Sequence, residues 1–199
     1  IDDIAYIGLT GIGVARWDIN NSQWLQTWTE DNVLDGGNEE VTSLIADIRP
    51  GYIWIGGQDG FQLLGTANGT EFYDIEKSNS LYSGNGNPYD LTMYGNTMYY
   101  HQGTSSDSIY GIDVANFASI TPLDAGQEIG ENGGDIVGLE IIGDTLLASV
   151  VSGQWWNQDG SGGIVQYDLP TSSWNTSILP SGQVDRVTAY ESSSGHTWI

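Results

Sequence analysis

The feature that most constrains this chain is a recurrence. IAYIG (4–8), YIWIG (52–56), TMYYH (97–101), TLLAS (145–149) and HTWI (196–199) are short β-branched and aromatic runs, and they begin 48, 45, 48 and 51 residues apart. Self-similarity at a period of roughly 20–50 residues fixes an architecture before any local motif does, because each copy is one supersecondary unit stacked on its neighbours.

The second copy shows the content of a unit most clearly. An alternating run, VTSLIAD (41–47), is followed by the turn IRPG, then by YIWIGG, FQLL and EFYDI. The first copy supplies VARWD and WLQTWTE as its later strands, the third IYGID and FASITP, and the fourth IVQYD and SWNTSI. Four short strands per unit of about 45 residues is the pattern of a β-propeller blade. The expected fold is therefore all-β: about four four-stranded blades plus a partial fifth, with units at 1–40, 41–88, 89–134 and 135–183 and a partial unit at 184–199. With strands labelled A to D outward from the axis, the chain opens in a B strand near Ile4 and closes in an A strand and a truncated B strand. That phase favours an incomplete arc of a larger ring, or a segment of a longer protein, over a closed four-bladed ring in which 184–190 completes the first blade. An open arc leaves apolar faces that promote self-association.

EEVTSLIADIRPGYIWIGGQDGFQLL and GVARWDINNSQWLQTWTEDNVL resemble the repeat of two-component-regulator-type propellers of bacterial sensor ectodomains. GGIVQYDLPTSSWNTSILPSG is as similar to a kelch blade, which makes kelch-like propellers the second choice. The third unit departs from both by lacking the Trp-Ile-Gly core. The resemblance implies ligand sensing outside the cytoplasm, and a propeller fold by itself assigns no function.

Charge narrows the partners. Twenty-six Asp and Glu stand against four Lys and Arg, a net charge of −22. Nucleic-acid affinity rests on cations that neutralise phosphates, so DNA and RNA are excluded as partners, and anionic membrane surfaces with them. No run is long and apolar enough for direct membrane insertion. The chain has no cysteine, hence no disulfide framework and no thiolate metal site.

Catalytic patterns are scarce. Gly11 and Gly13 begin a G-x-G, but Arg16 stands where a dinucleotide fingerprint needs its third glycine, and a strand follows. The two histidines, His101 and His196, lack metal-ligand spacing. Carboxylate pairs such as Asp2/Asp3 and Glu39/Glu40 read as solvated acidic surface, which leaves a carbohydrate-active lyase or hydrolase as the third choice of function. Gly56, Gly57 and Gly60 read as positive-φ turn residues between strands B and C.

Binding residues concentrate on loops held by a rigid scaffold. In the propeller family the B–C and D–A connections form the ligand face. The fourth B–C connection, 151–163, is the longest and carries Trp155, Trp156, Asn157 and Asp159, a set suited to stacking on a sugar ring or packing on a protein ligand. The D–A connection at 30–40 gathers Asp31, Asp35, Glu39 and Glu40, oxygen donors that suit calcium, although the spacing of an EF-hand loop is absent. Segment 76–90 reads as turn chemistry ordered by Tyr82 and Pro88. Three glycosylation sequons occur, at Asn20, Asn68 and Asn175; the first two fall in C–D turns, away from the ligand face, and the third on a D strand. The expected role is a non-enzymatic, extracellular recognition or scaffolding module, with a self-assembling surface protein as the alternative.

Overall fold

The computed structural model describes residues 3–34, 40–102, 108–126, 135–151, 162–179, 191–193 and 196–198. Among them every regular element is a β-strand, and no helix is long and apolar enough to cross a membrane. The first sheet holds β1 (Ile4–Leu9), β2 (Gly13–Asp18) and β3 (Gln23–Trp24). The second holds β4 (Ser43–Ala46), β5 (Tyr52–Gly57), β6 (Gly60–Gly65) and β7 (Glu71–Glu76), in that spatial order. The third contains β8 (Tyr89–Tyr94), β9 (Thr97–His101) and β10 (Ser108–Asp113), with two short pieces, β11 (Ala118–Ser119) and β12 (Leu123–Asp124), both paired to β10. The fourth runs β13 (Asp135–Ile142), β14 (Thr145–Val151), β15 (Gly162–Asp168) and β16 (Ser173–Leu179), and β17 (Glu191–Ser193) pairs with β18 (His196–Trp198). Among the described residues the strand pairings are antiparallel and, apart from β12 on β10, join neighbours in sequence, the meander expected of propeller blades.

The outer strand of the third sheet differs from a single run. β11 meets β10 at Ile112↔Ser119 and β12 meets it at Ser108↔Asp124, with Pro122 between them. Proline has no N–H to donate, so a ladder interrupted there is tolerated on an edge strand.

The chain divides into two compact units. The first comprises Ile1–Leu91, Gly95–Thr97 and Ile112–Ser119, and the second Thr92–Tyr94, Met98–Gly111 and Ile120–Ile199. In the first unit, Val14 and Trp28 from the first repeat meet Ile53, Ile55 and Leu64 from the second, with Leu34 and Val41 of the connection closing the cluster. These residues alternate along their strands, so period two aims one face at this core. Each fully buried aliphatic side chain contributes about 2 kcal/mol. Trp54, between the two isoleucines, points to the opposite face, packs edge-on against Phe61 at 6.5 Å, and is fully buried. The second unit has its own core in Tyr99, Ile109, Ile136, Leu139, Leu146 and Val165.

The glycines of YIWIGGQDGF divide their work differently from the turn reading. Only Gly60 has a positive φ, +129°. Gly56 lies within β5, where a Cβ would stand 3.2 Å from Pro88 Cγ and 3.3 Å from Thr42 Oγ1, so close approach rather than turn geometry requires it.

Candidate functional site: two unlike ends of each sheet

Because the strands alternate in direction, each sheet has two chemically distinct ends: one carries the A–B and C–D turns, the other the B–C and D–A connections. The turn end is closed by a repeated device. The amide N–H groups of Ile19, Thr66, Val114 and Leu169, each in a C–D turn, donate to the carbonyls of Asp3, Gly51, Asn96 and Asp144, each just before a B strand, at 2.8–3.0 Å. Four equivalent bonds thus tie the two turns of a blade together.

The C–D turns share side-chain chemistry as well. Asp18, Asp113 and Asp168 end the C strands and accept the backbone N–H three residues on, at Asn21, Asn116 and Thr171, at 2.8–3.1 Å. One residue further, Ser22, Phe117 and Ser172 take left-handed φ of 50–52°. The second repeat has Gly65 in place of the aspartate and Gly69 at the left-handed position, with φ of +72°. Hydrogen bonds from the side chains of Asn21, Asn116 and Thr171 lead in holding the three carboxyls below the usual aspartate range. In the first and fourth repeats an aromatic pair clasps the hairpin across the turn. Trp17 and Trp24, and likewise Tyr167 and Trp174, meet edge-on at 5.0 Å and 69°. Sequence reasoning missed this motif, although WDINNSQW and YDLPTSSW display it.

At the A–B turn of the second repeat, the fully buried carboxylate of Asp47 accepts hydrogen bonds from Arg49 Nη2 at 2.9 Å, from the Arg49 backbone at 2.8 Å and from Trp54 Nε1 at 2.5 Å. Burial pushes the Asp47 pKa up, but the bonds from Arg49 and Trp54 outweigh it and leave the carboxyl below its ordinary value. The Arg49 guanidinium also lies 5.2 and 5.3 Å from the rings of Phe72 and Phe117. This cluster locks the turn.

The opposite end carries longer connections. Segment 77–88 folds back on its own sheet: Lys77 Nζ donates to Asn87 Oδ1 at 2.7 Å, and the Tyr82 hydroxyl donates to the Gly86 carbonyl. The Tyr82 ring packs on Phe61 at 5.4 Å, and Thr42 Oγ1 donates to the Pro88 carbonyl. Tyr82 and Pro88 therefore order this loop, as the sequence predicts. Asp31 is exposed in the turn after Trp28, where Asn32 Oδ1 accepts the Thr29 N–H, and half-buried Glu40 bridges to Thr10. Asp35 and Glu39 lie outside the described residues, as do Trp155, Trp156, Asn157 and Asp159. No group of three or more potential metal ligands occurs among the described residues. In the second unit, His101 at the end of β9, Gln102 after it and Asp135 at the start of β13 are buried polar residues at this same loop-bearing end of their sheets. Sequence reasoning passes over the last two, for which burial and not spacing is the signal.

The sequons lie on exposed positions. Asn20 Nδ2 donates to Asp3 Oδ2 at 2.8 Å, and Asn68 Oδ1 accepts from Thr70 Oγ1 at 2.8 Å, both within C–D turns. Asn175 sits on β16 opposite Gln166.

No family model matches the chain, and no curated protein matches it. Solved structures do. The Saccharomyces cerevisiae protein Sqt1 superposes with a TM-score of 0.64 at 13% identity, over 92% of this chain and 45% of that one. The WD40 repeats of RRP9 superpose at 0.63 and 12% identity, over 90% of this chain and 49% of that one. The extracellular domain described as that of the putative hybrid two-component system BT3049 from B. thetaiotaomicron superposes at 0.62 and 11% identity, over 88% and 22%. The chain spans about half or less of each of these structures. At such identities the likeness concerns the fold alone, and with the antiparallel four-stranded sheets it shows that this chain is a partial β-propeller.

Proposed function

We propose that the chain is a non-enzymatic recognition or scaffolding module of an extracellular propeller, and that its ligand face is the end bearing the B–C and D–A connections. The observation that carries this reading is the difference between the two ends. One is tied shut by four equivalent turn-to-turn hydrogen bonds, while the other carries the long connections at 77–88 and 152–161. A rigid scaffold with elaborated loops at one end is the usual arrangement for binding. An extracellular setting is favoured by the likeness to two bacterial sensor extracellular domains.

The ligand is a carbohydrate or a protein, contacted by Trp155, Trp156, Asn157 and Asp159, and Asp31, Asp35, Glu39 and Glu40 are the proposed calcium donors. Glycans on Asn20 and Asn68 would occupy the tied end and leave the loop end open. The remaining blades of the ring come from sequence beyond this segment or from another copy. Self-association is the second reading, favoured by Trp24 and Phe72, which are 63% and 50% exposed on outer strands.

A glycan array probed with the wild-type chain and with Trp155→Ala/Trp156→Ala tests the ligand face. Loss of binding in the double variant is expected; binding that is unchanged removes these residues. Light scattering with and without calcium separates the second reading, which requires a mass above that of one chain.

A further inference from the structure

The chain has four Lys and Arg, and among the described residues Arg16 is the one that is buried. Arg16, on β2, is 8% exposed. Its Nε–H donates to the Gln26 carbonyl at 3.0 Å, and its guanidinium carbon lies 4.4 Å from the centre of the Trp28 ring. Tyr6, its cross-strand partner, is its other polar neighbour, and the Tyr6 hydroxyl donates to the Thr66 carbonyl at 3.2 Å. Among the described residues no carboxylate forms an ion pair with Arg16, whereas the more exposed Arg49 has Asp47. In a chain with 26 acids this is a conspicuous departure, since a buried guanidinium ordinarily takes an acid as partner. Burial lowers the Arg16 pKa, with Tyr6 opposing, as expected of a cation held out of water without a counter-ion.

A pocket of about 280 Å³ opens against this side chain, lined by Ile4, Tyr6, Arg16, Leu25, Thr66 and Ala67. A guanidinium has five N–H donors and no acceptor, and its planar edge matches a carboxylate. Ile4, Leu25 and Ala67 supply apolar walls, and no lysine joins the lining. One cation between aliphatic walls suits a monoanion with a short hydrocarbon part better than a phosphate, which draws several donors. The volume lies just below the usual range of small-molecule sites, which limits the ligand to a small molecule or a chain terminus. We propose that this pocket binds a compact organic carboxylate, its charge met by Arg16 and its aliphatic part by Ile4, Leu25 and Ala67.

The test is a titration of the full chain with sodium butyrate, followed by ¹⁵N NMR at constant ionic strength, with the isosteric neutral amide butyramide as control. Saturable shifts of the Arg16 Nε–H and Leu25 amide signals are expected with butyrate, at least tenfold weaker with butyramide, and absent in Arg16→Met. Arg16→Lys keeps the charge but loses the planar edge, and is expected to weaken binding severalfold. N-acetyl-leucine beside butyrate distinguishes a peptide C-terminus from a free acid as the source of the carboxylate. No saturable shift, equal response to butyramide, or shifts that persist in Arg16→Met would each overturn the proposal. Should Arg16→Met fail to fold, the comparison of butyrate with butyramide on the wild type still decides. The pocket lies at the tied end, so Trp155→Ala/Trp156→Ala should keep full butyrate binding, and this site stands or falls apart from the loop-face reading.

Discussion

Asp47 shows how one side chain holds a turn. Its carboxylate has no solvent exposure and accepts three times from Arg49, through Nε, Nη2 and the backbone N–H, and once from the indole of fully buried Trp54. Replacing it with Ala strands the indole N–H and a partly buried cation together. Leaving such donors unmet costs about 2–3 kcal/mol. Urea unfolding of Asp47→Ala measures this directly, and a loss under about 1 kcal/mol would show that water replaces the carboxylate there. The pKa of Asp47 is depressed in the folded protein, so its contribution is fully present above the unfolded value of about 3.9 and is lost as pH falls through the lower folded value. Glycine makes a second residue-scale contrast. At Gly60 a Cβ would stand 2.1 Å from the Ile75 carbonyl oxygen, at a φ of +129°. At Gly95, φ is +56° and nothing lies within 4 Å. Gly60→Ala is expected to cost more than about 3 kcal/mol because backbone must move, and Gly95→Ala only about 1 kcal/mol, the left-handed penalty alone. Equal losses in the two variants would contradict this assignment.

At the scale of the element, the C–D hairpin is the unit that repeats most faithfully. Its aspartate and its left-handed fifth residue recur at Asp18, Asp113 and Asp168, and the tie to the A–B turn recurs in all four repeats. Asp168→Asn keeps an acceptor but loses the charge that strengthens the bond to Thr171. The variant is expected to melt at lower temperature than wild type at pH 7. That gap should close as the pH falls below about 4, where the wild-type aspartate also protonates. A gap independent of pH would mean that shape rather than charge holds the turn. The strands themselves were legible in the sequence, because β-branched and aromatic runs at a fixed period can be satisfied only by stacked sheets. The turn motif was present but unread, since D-x-x-N looks like ordinary turn chemistry until its copies are superposed. Arg16 was legible only as a residue that spoils a dinucleotide fingerprint. Its burial beside Trp28 and the pocket next to it depend on Thr66 and Ala67, some fifty residues away, and no local pattern encodes that meeting.

At the scale of the whole molecule, electrostatic repulsion is the force that packing does not absorb. A net charge of −22 on 199 residues is met by one ion pair among the described residues, Arg49 with Asp47. The remaining acids repel one another, and that self-repulsion destabilises the compact state and is screened by salt. Two effects then oppose each other as pH falls from 7. Protonation of surface acids, beginning near pH 5, relieves repulsion and raises stability. Protonation of Asp18, Asp47, Asp113 and Asp168, whose pKa values are all depressed, removes stabilising bonds, and sets in only below about pH 4. In ~20 mM salt the melting temperature should therefore peak at roughly pH 4–5.5, below neutrality. In ~0.5 M NaCl the rise from pH 7 to that peak should flatten, because the repulsion is already screened, while the acid limb below about pH 4 should remain. Thermal melts across this grid of pH and salt check both limbs at once. A melting temperature at pH 7 that does not rise with salt would show that the acids are spaced widely enough for repulsion to be negligible, and the charge would then bear on solubility and partner choice alone.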